Sequence, residues 1–408
     1  MPPETDAPKV PTGGGHDAAD WLHYHGLAPR NVGIRSSDYR SLRTCPFTWY
    51  LSRRLGLVKA SKYSVALSRG SWAHLAFAAY CLRKDREAAL DMYDRAIELR
   101  LEELRRYGKS AGQSAELVRE ILDREEKDAR TAWAWFSAAM NVQFQANGNE
   151  GPTGMLEGWM RAVNVVAQEP MLRWSDCVIQ PDALVTFPKD PDTLWIVDFK
   201  TTSASPVDRL QSCPIEFQTQ HYFHVMRKLP LEEYGARQVG GVIHIAVQKP
   251  TIEFGMKDRA FTLDTSPLKS GPRKGEPRNE KVYVGDPDPK FYEGRCYEWY
   301  VGEGEYLHLG PDRITNPCVN ISFTSATHLL DAKLVSQYNS RLEFCRSYAN
   351  REPYPDNFEM GDPIQGMGQL SPYLPFMLTD PVVWPDVVRG ENFVQRDRDD
   401  AVPEGDIA

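Results

Sequence analysis

The sequence predicts an α/β (α+β) protein with one main domain and added helices, and three observations predict it. Residues 68–140 keep a helical period throughout, residues 161–202 switch to short β-branched and aromatic runs divided by turn signals, and a further helix and one more apolar strand follow. The element order is therefore helices, three strands, helix, strand. A chain of 408 residues exceeds the roughly 250 to 300 at which single cores usually stop growing, so room remains for a second lobe. Hydrophobic content of 41% with charged content of 25% excludes a wholly disordered or fibrous chain.

Each element follows from local signals. Residues 1–20, rich in Pro and Gly, read as a flexible leader, with order starting near Asp20. The stretch 36–57 reads as a helix capped by Ser37 or Asp38 that runs into an aromatic and basic segment, its plainest reading being a packed helix with solvated arginines. Within 68–140, Leu90, Tyr93, Ile97, Leu101 and Leu104 recur at helical spacings as one apolar stripe, and Gly108 stands where that helix should end. Segments 161–172, 177–187 and 193–202 read as adjacent strands, the last two joined by turn signals at 188–192. Ser212, Cys213 and Pro214 open a helix to about Lys228, stopped by Pro230, and 240–249 reads as a buried strand. Residues 266–283 carry five bases against two acids among Gly and Pro, which predicts a mobile basic loop. Helices then cover much of 287–308 and 327–348. The resulting division is a leader (1–20), a core (21–260) containing the helical layer, a C-terminal lobe (261–370) and a tail (371–408).

The net charge of −8 does not exclude a nucleic-acid partner, because four acids against one base lie in 1–20 and five against one in 397–408. A near-neutral body can still present a basic cleft, since phosphate responds to local charge. Seven scattered cysteines with no CxxC pair argue against a disulfide framework or zinc ribbon, and a reducing cytoplasm is the expected compartment. No secretion signal and no membrane span are expected, for want of an apolar leader or a long apolar run.

The chemistry concentrates at Pro181-Asp182 on one predicted strand and Asp198-Phe199-Lys200 at the end of the next. Residues i and i+2 share a strand face, so Asp198 and Lys200 project together while Phe199 turns into the core. Antiparallel pairing brings Asp182 close to both. Two carboxylates beside a fixed cation suit a hard, oxygen-loving ion against a phosphate, with the Phe199 carbonyl as a further ligand. Lys200 would orient or help deprotonate the attacking water and offset transition-state charge. Gln218 and Tyr222, four apart on the next helix, share a face from which an amide and a phenol can hold a phosphate or the metal shell. His74 is a candidate ligand on a predicted helix, and Glu169 closes the preceding strand as a possible extra carboxylate. Taken singly each has a blander reading: exposed strand-end charges, an amphipathic helix flank, a structural histidine.

The ordered set CPFTWY (45–50), RGSWAH (69–74), PDAL (181–184), IVDFKTT (196–202) and QTQHY (218–222) resembles the PD-(D/E)XK nuclease superfamily, and within it RecB-type nucleases, including phage exonucleases and CRISPR-associated adaptation nucleases. The likeness covers about residues 36–250 and lies in order, spacing and element type. It implies a PD-(D/E)XK core, a central mixed sheet flanked by helices, here with an N-terminal helical insertion and a C-terminal helical lobe. It implies Mg²⁺- or Mn²⁺-dependent cleavage of DNA, with an exonuclease of phage or mobile-element recombination or repair as the finer expectation and a recombinase or annealing protein as a partner. His74, Asp182, Asp198 and Lys200 become the metal and catalytic set, with Gln218 and Tyr222 as the supporting motif. Many such relatives carry a four-cysteine iron–sulfur cluster, but residues 346–408 hold no cysteine and Cys296, Cys318 and Cys345 are widely spaced. No cluster is expected, and Cys45 reads as a small buried residue beside Pro46 and Phe47. Two alternatives share the fold: a catalytically silent DNA-binding or scaffold subunit, against which the full Asp/Asp/Lys set argues, and a restriction-type endonuclease, for which no zinc-finger or helix-turn-helix signal is present.

Overall fold

The computed structural model describes residues 32–59, 65–110, 114–146, 149–267, 270, 273–274, 276–278, 280–303, 307–308, 314–315 and 318–351, with 364–365, 369–370 and 393–395. The leader 1–20 and most of the tail lie outside them. Helix α1 (Asp38–Thr44) leads into a short helix, Pro46–Trp49, and a π-helical turn, Tyr50–Arg54. Ser37 makes no side-chain cap; Asp38 anchors the turn instead, taking the Arg35 N–H at 2.8 Å and Arg53 Nε at 3.1 Å. Of the arginines expected in solvent, Arg40 and Arg43 are exposed, but Arg53 and Arg54 are buried, at 6% and 3% exposure. Each found acceptors inside, Arg53 on the Gly33 carbonyl and Arg54 on the Ala349 carbonyl, both at 2.7 Å, which offsets the cost of removing a guanidinium from water.

The helical layer consists of α2 (Val65–Arg83), α3 (Arg86–Ser110) and α4 (Ala115–Met140), with Lys84 at φ 53 in the break after α2. The stripe on α3 faces inward, Tyr93 and Ile97 fully buried and Leu90 and Leu101 partly so. Gly108 does not end α3, which runs on to Ser110. After α5 (Met155–Ala162), five strands form one mixed sheet in chain order: β1 (Asn164–Gln168), β2 (Ala183–Phe187), β3 (Asp190–Thr202), β4 (Gln238–Gln248) and β5 (Val319–Ser325). Only the β3–β4 pair is parallel. A parallel pair needs a crossover, supplied by α6 (Pro206–Ser212), a tight turn at Cys213–Ile215 and α7 (Phe217–Met226).

Other boundaries also differ from the sequence reading. Segment 177–187 is not one strand: Cys177–Ile179 pairs with Leu172–Trp174 in a separate hairpin, and Pro181-Asp182 lies in the link before β2. Pro181 has no N–H to give to a ladder. The helix expected from Ser212 begins at Phe217, because Glu216 is extended at its N-cap (φ −70, ψ 144). Farther on, α8 (Pro289–Glu303) and α9 (Ala332–Ala349) match the expected C-terminal helices, while 280–284 pairs with Ala260–Asp264 as a hairpin, so the end of the expected basic loop is strand.

The sheet divides the core. Val197, Phe199, Ile243 and Ile245 pack with Phe77, Trp133 and Phe136 of the helical layer, whereas Leu184, Ile196 and Val242 pack with Leu42 of α1, Phe223 of α7 and Leu342 of α9. This alternation turns Asp198 and Lys200 away from Phe199. No helix among the described residues is long and apolar enough to cross a membrane.

Candidate active site

Phe199 is the anchor. Its ring is fully buried, stacked on Phe77 at 4.7 Å and edge-on to His74 at 5.1 Å, and this pins the flanking residues of β3. The Phe199 N–H donates to Asp182 Oδ2 at 2.6 Å, and the Asp182 N–H donates to the Val197 carbonyl at 3.1 Å. Asp182 is thus fixed across the gap to β3 by backbone and side chain together. Its other oxygen, Oδ1, meets His74 Nδ1 of α2 at 2.7 Å. Glu169, just past β1 at φ 42, donates its N–H to the Asp182 carbonyl at 3.0 Å.

A second chain of contacts starts at Lys200, whose Nζ lies 2.9 Å from Asp198 Oδ1 and donates to Gln218 Oε1 at 2.7 Å. The Gln218 amide nitrogen reaches Asp198 Oδ1 at 3.3 Å and the Tyr222 hydroxyl at 2.9 Å, and that hydroxyl donates to the Gln180 carbonyl at 3.0 Å. The helical i, i+4 spacing puts Gln218 and Tyr222 on one face, as their sequence separation requires. Asp182, Asp198, Lys200, Gln218, Tyr222 and His74 therefore meet at one end of the sheet, between α2 and α7.

The electrostatics are those of crowded carboxylates. Burial, reinforced by the Asp182 charge and opposed by Lys200, raises the Asp198 carboxyl above its ordinary range. Glu169 is raised by burial and then by Asp182. For His74, burial favours the neutral ring, but Asp182 and Asp198 together outweigh it and the pKa rises. One residue the sequence reading passed over stands beside them: His244 on β4, paired in register with Asp198, has Nε2 2.9 Å from Thr219 Oγ1 and 3.7 Å from Asp198 Oδ2. Burial, then Lys200, lowers its pKa to about 4. Its signal was a lone imidazole in the otherwise apolar run 239–247, which reads as strand and nothing more.

The family model of the PD-(D/E)XK nuclease superfamily matches residues 36–282. The chain belongs to that superfamily. No curated protein matches the sequence. The matched span holds all the residues above, and the five-stranded mixed sheet flanked by helices is the PD-(D/E)XK fold. Nuclease chemistry comes with the superfamily, whose members generally use divalent metals such as Mg²⁺. Among the described residues no three His, Cys, Asp or Glu are arranged as a ready-made metal cage, and His74 bonds directly to Asp182. The donor chemistry nonetheless fits a hard ion: two carboxylates, close enough that one disfavours ionisation of the other, leave negative charge for a cation to neutralise. Cys45 is buried as expected, and its Sγ caps the next helix by accepting the Thr48 N–H at 3.4 Å.

Proposed function

We propose that this protein is a Mg²⁺-dependent deoxyribonuclease, able to use Mn²⁺, that hydrolyses DNA phosphodiester bonds at the Asp182–Asp198–Lys200 centre. One observation carries the reading: a continuous hydrogen-bonded chain runs from Lys200 through Gln218 to Tyr222, while Asp198 of β3 and Asp182 of the link before β2 converge beside it. Strand-end charges with no shared task have no reason to be tied to one amide. Asp182 and Asp198 would hold the metal, with the Phe199 carbonyl and His74 as further donors and Glu169 able to add a carboxylate. A bound divalent ion there would polarise the phosphate and lower the pKa of a nearby water.

The chain's own residues do the rest. Lys200 orients the attacking water, assists its loss of a proton and offsets charge on the phosphate oxygens. Gln218 holds the Lys200 ammonium in place, and Tyr222 fixes Gln218. The finer reading, an exonuclease of phage or mobile-element recombination or repair acting with a recombinase or annealing protein, rests on the likeness to RecB-type nucleases. Incubation with linear and closed circular DNA, with and without Mg²⁺, tests it: loss of linear DNA alone, only with metal, is expected, and cutting of closed circles would replace exonuclease with endonuclease. Asp198→Asn should abolish cleavage while DNA binding persists, because shape is kept and a metal-binding charge is lost. Wild-type cleavage by that variant would put the active site elsewhere.

A further inference from the structure

The residue before Gln218, Phe217, is buried beneath a different surface. Phe217 packs its ring against Tyr39 of α1 at 5.4 Å, and Tyr39 meets Phe344 of α9 edge-on at 5.8 Å. Two guanidinium groups lie by the Tyr39 ring, Arg341 at 5.4 Å and Arg43 at 5.9 Å from its centre. Arg341 also donates to the carbonyl of Ile215, a side chain 54% exposed in the turn that leads into α7. Arg40 and Arg43 are exposed on α1. Phe217 precedes Gln218 on α7, so this surface borders the candidate active site through that helix.

The nearby acids are engaged elsewhere. Asp38 turns inward to Arg53, Glu216 pairs with Arg209, Glu343 pairs with Arg346, and Asp331 caps α9 through the N–H groups of Lys333 and Leu334. What remains toward solvent is the exposed pair Arg40 and Arg43 beside the half-buried Tyr39, Phe344 and Arg341, a composition that fits phosphates together with base faces. Base faces are open only in an unpaired strand, where stacking on rings and guanidinium planes adds to backbone attraction. A duplex keeps its bases stacked and offers the same surface only phosphates.

We propose that Tyr39, Arg40, Arg43 and Arg341, backed by the buried Phe217, form a binding surface for a single DNA strand flanking the scissile phosphate. The proposal rests on the deoxyribonuclease reading for its substrate, but its test does not need cleavage. Binding of the full chain to a labelled oligothymidylate and to a blunt duplex of equal length is measured by anisotropy in EDTA, over a range of salt. The double variant Arg40→Gln, Arg43→Gln should bind the single strand about tenfold more weakly at low salt, with its log–log salt slope reduced by about 1.4, or about 0.7 for each phosphate no longer neutralised. Its duplex affinity should fall by a smaller factor, because a duplex has only phosphates to offer this surface. Both arginines are exposed, so an unaltered melting temperature is expected, and Arg341→Lys, which keeps the charge but loses the planar fork, should weaken strand binding without changing the slope. Single-strand affinity and slope equal to wild type would overturn the proposal, as would equal losses on strand and duplex. A wild-type protein that shows the predicted pattern yet cuts nothing would remove the nuclease reading and leave this surface standing.

Discussion

At the scale of single residues, Lys200 gives the sharpest prediction. Its ammonium is held between Asp198 Oδ1 and Gln218 Oε1, at 2.9 and 2.7 Å, so the position of the charge is fixed before any substrate arrives. Lys200→Ala should lower the cleavage rate by about 10² to 10⁴ while leaving the metal concentration for half-maximal rate nearly unchanged. The measurement is a Mg²⁺ titration of the rate; a variant that regains wild-type rate at high Mg²⁺ would make Lys200 a metal-site support and not a part of the chemistry. This residue was legible in the sequence because strand alternation alone puts positions 198 and 200 on one face. His244 was not, since its relation to Asp198 depends on the parallel register of β3 with β4, set across a crossover of many residues. Arg53 and Arg54 were misread for a related reason: nothing local distinguishes a solvated arginine from one whose acceptors arrive from Gly33 and Ala349.

At the scale of elements, the sheet depends on a backbone feature with no side chain. Gly241 sits in β4 at φ 145, and a Cβ there would stand 2.0 Å from the Thr324 carbonyl of β5. Gly241→Ala should therefore destabilise the fold by more than about 2 kcal/mol, because strand separation and backbone strain act together; a urea midpoint close to wild type would contradict the close β4–β5 approach. Helix α7 makes a separate prediction about pH. His221 is fully buried, with Nε2 3.1 Å from the Ile34 carbonyl and Nδ1 3.2 Å from the Tyr338 hydroxyl; a carbonyl can only accept, so Nε2 carries the proton and Nδ1 accepts from Tyr338. Burial lowers the His221 and His224 pKa values from 6.5 to about 4. The unfolded chain then binds more protons between those values, so stability is full above about 6.5 and falls as pH drops toward 4, for His221 by something like 1 kcal/mol per pH unit. Asp198 and Glu169, raised in the fold, act in the opposite sense as they protonate. Comparing denaturation midpoints of wild type and His221→Gln from pH 7.5 to 5 isolates the histidine, and identical slopes would exclude it. Helix and strand identities were legible here from periodicity. The start of α7 was not, because the extended Glu216 follows from the turn at Cys213–Ile215, where helix and turn share the same residue types.

At the scale of the whole molecule, the question is how a chain with a net charge of −8 holds a polyanion. The acids at the two ends dominate that sum, so attraction has to come from local surfaces, and one cationic run in the sequence is 266–283, with five bases against two acids. Its described part rises from the hairpin of Ala260–Asp264 with 280–284, whose base is fixed by Asp258: fully buried, it takes Arg295 Nη1 of α8 at 2.6 Å and the Gly255 N–H at 2.8 Å. The arm is thus rooted in the part of the chain that leaves β4, the strand parallel to the one bearing Asp198 and Lys200. Two of its cations already have acidic neighbours, Arg273 with Glu276 at 2.6 Å and Arg278 with Asp264 at 3.7 Å, while Lys269 lies outside the described residues. Intramolecular pairs at the surface contribute little and exchange readily for phosphate. Neutralising Lys269, Arg273, Lys274, Arg278 and Lys281 together should weaken duplex and single-strand binding alike and reduce the salt slope by at least about 1, without moving the Mg²⁺ dependence of the rate. That even loss separates a backbone-holding arm from the surface around Tyr39, whose loss should fall mainly on the single strand. An unchanged salt slope in the five-fold variant would reduce 266–283 to a solvated connection between β4 and α8 and leave the remaining described surfaces to account for DNA binding.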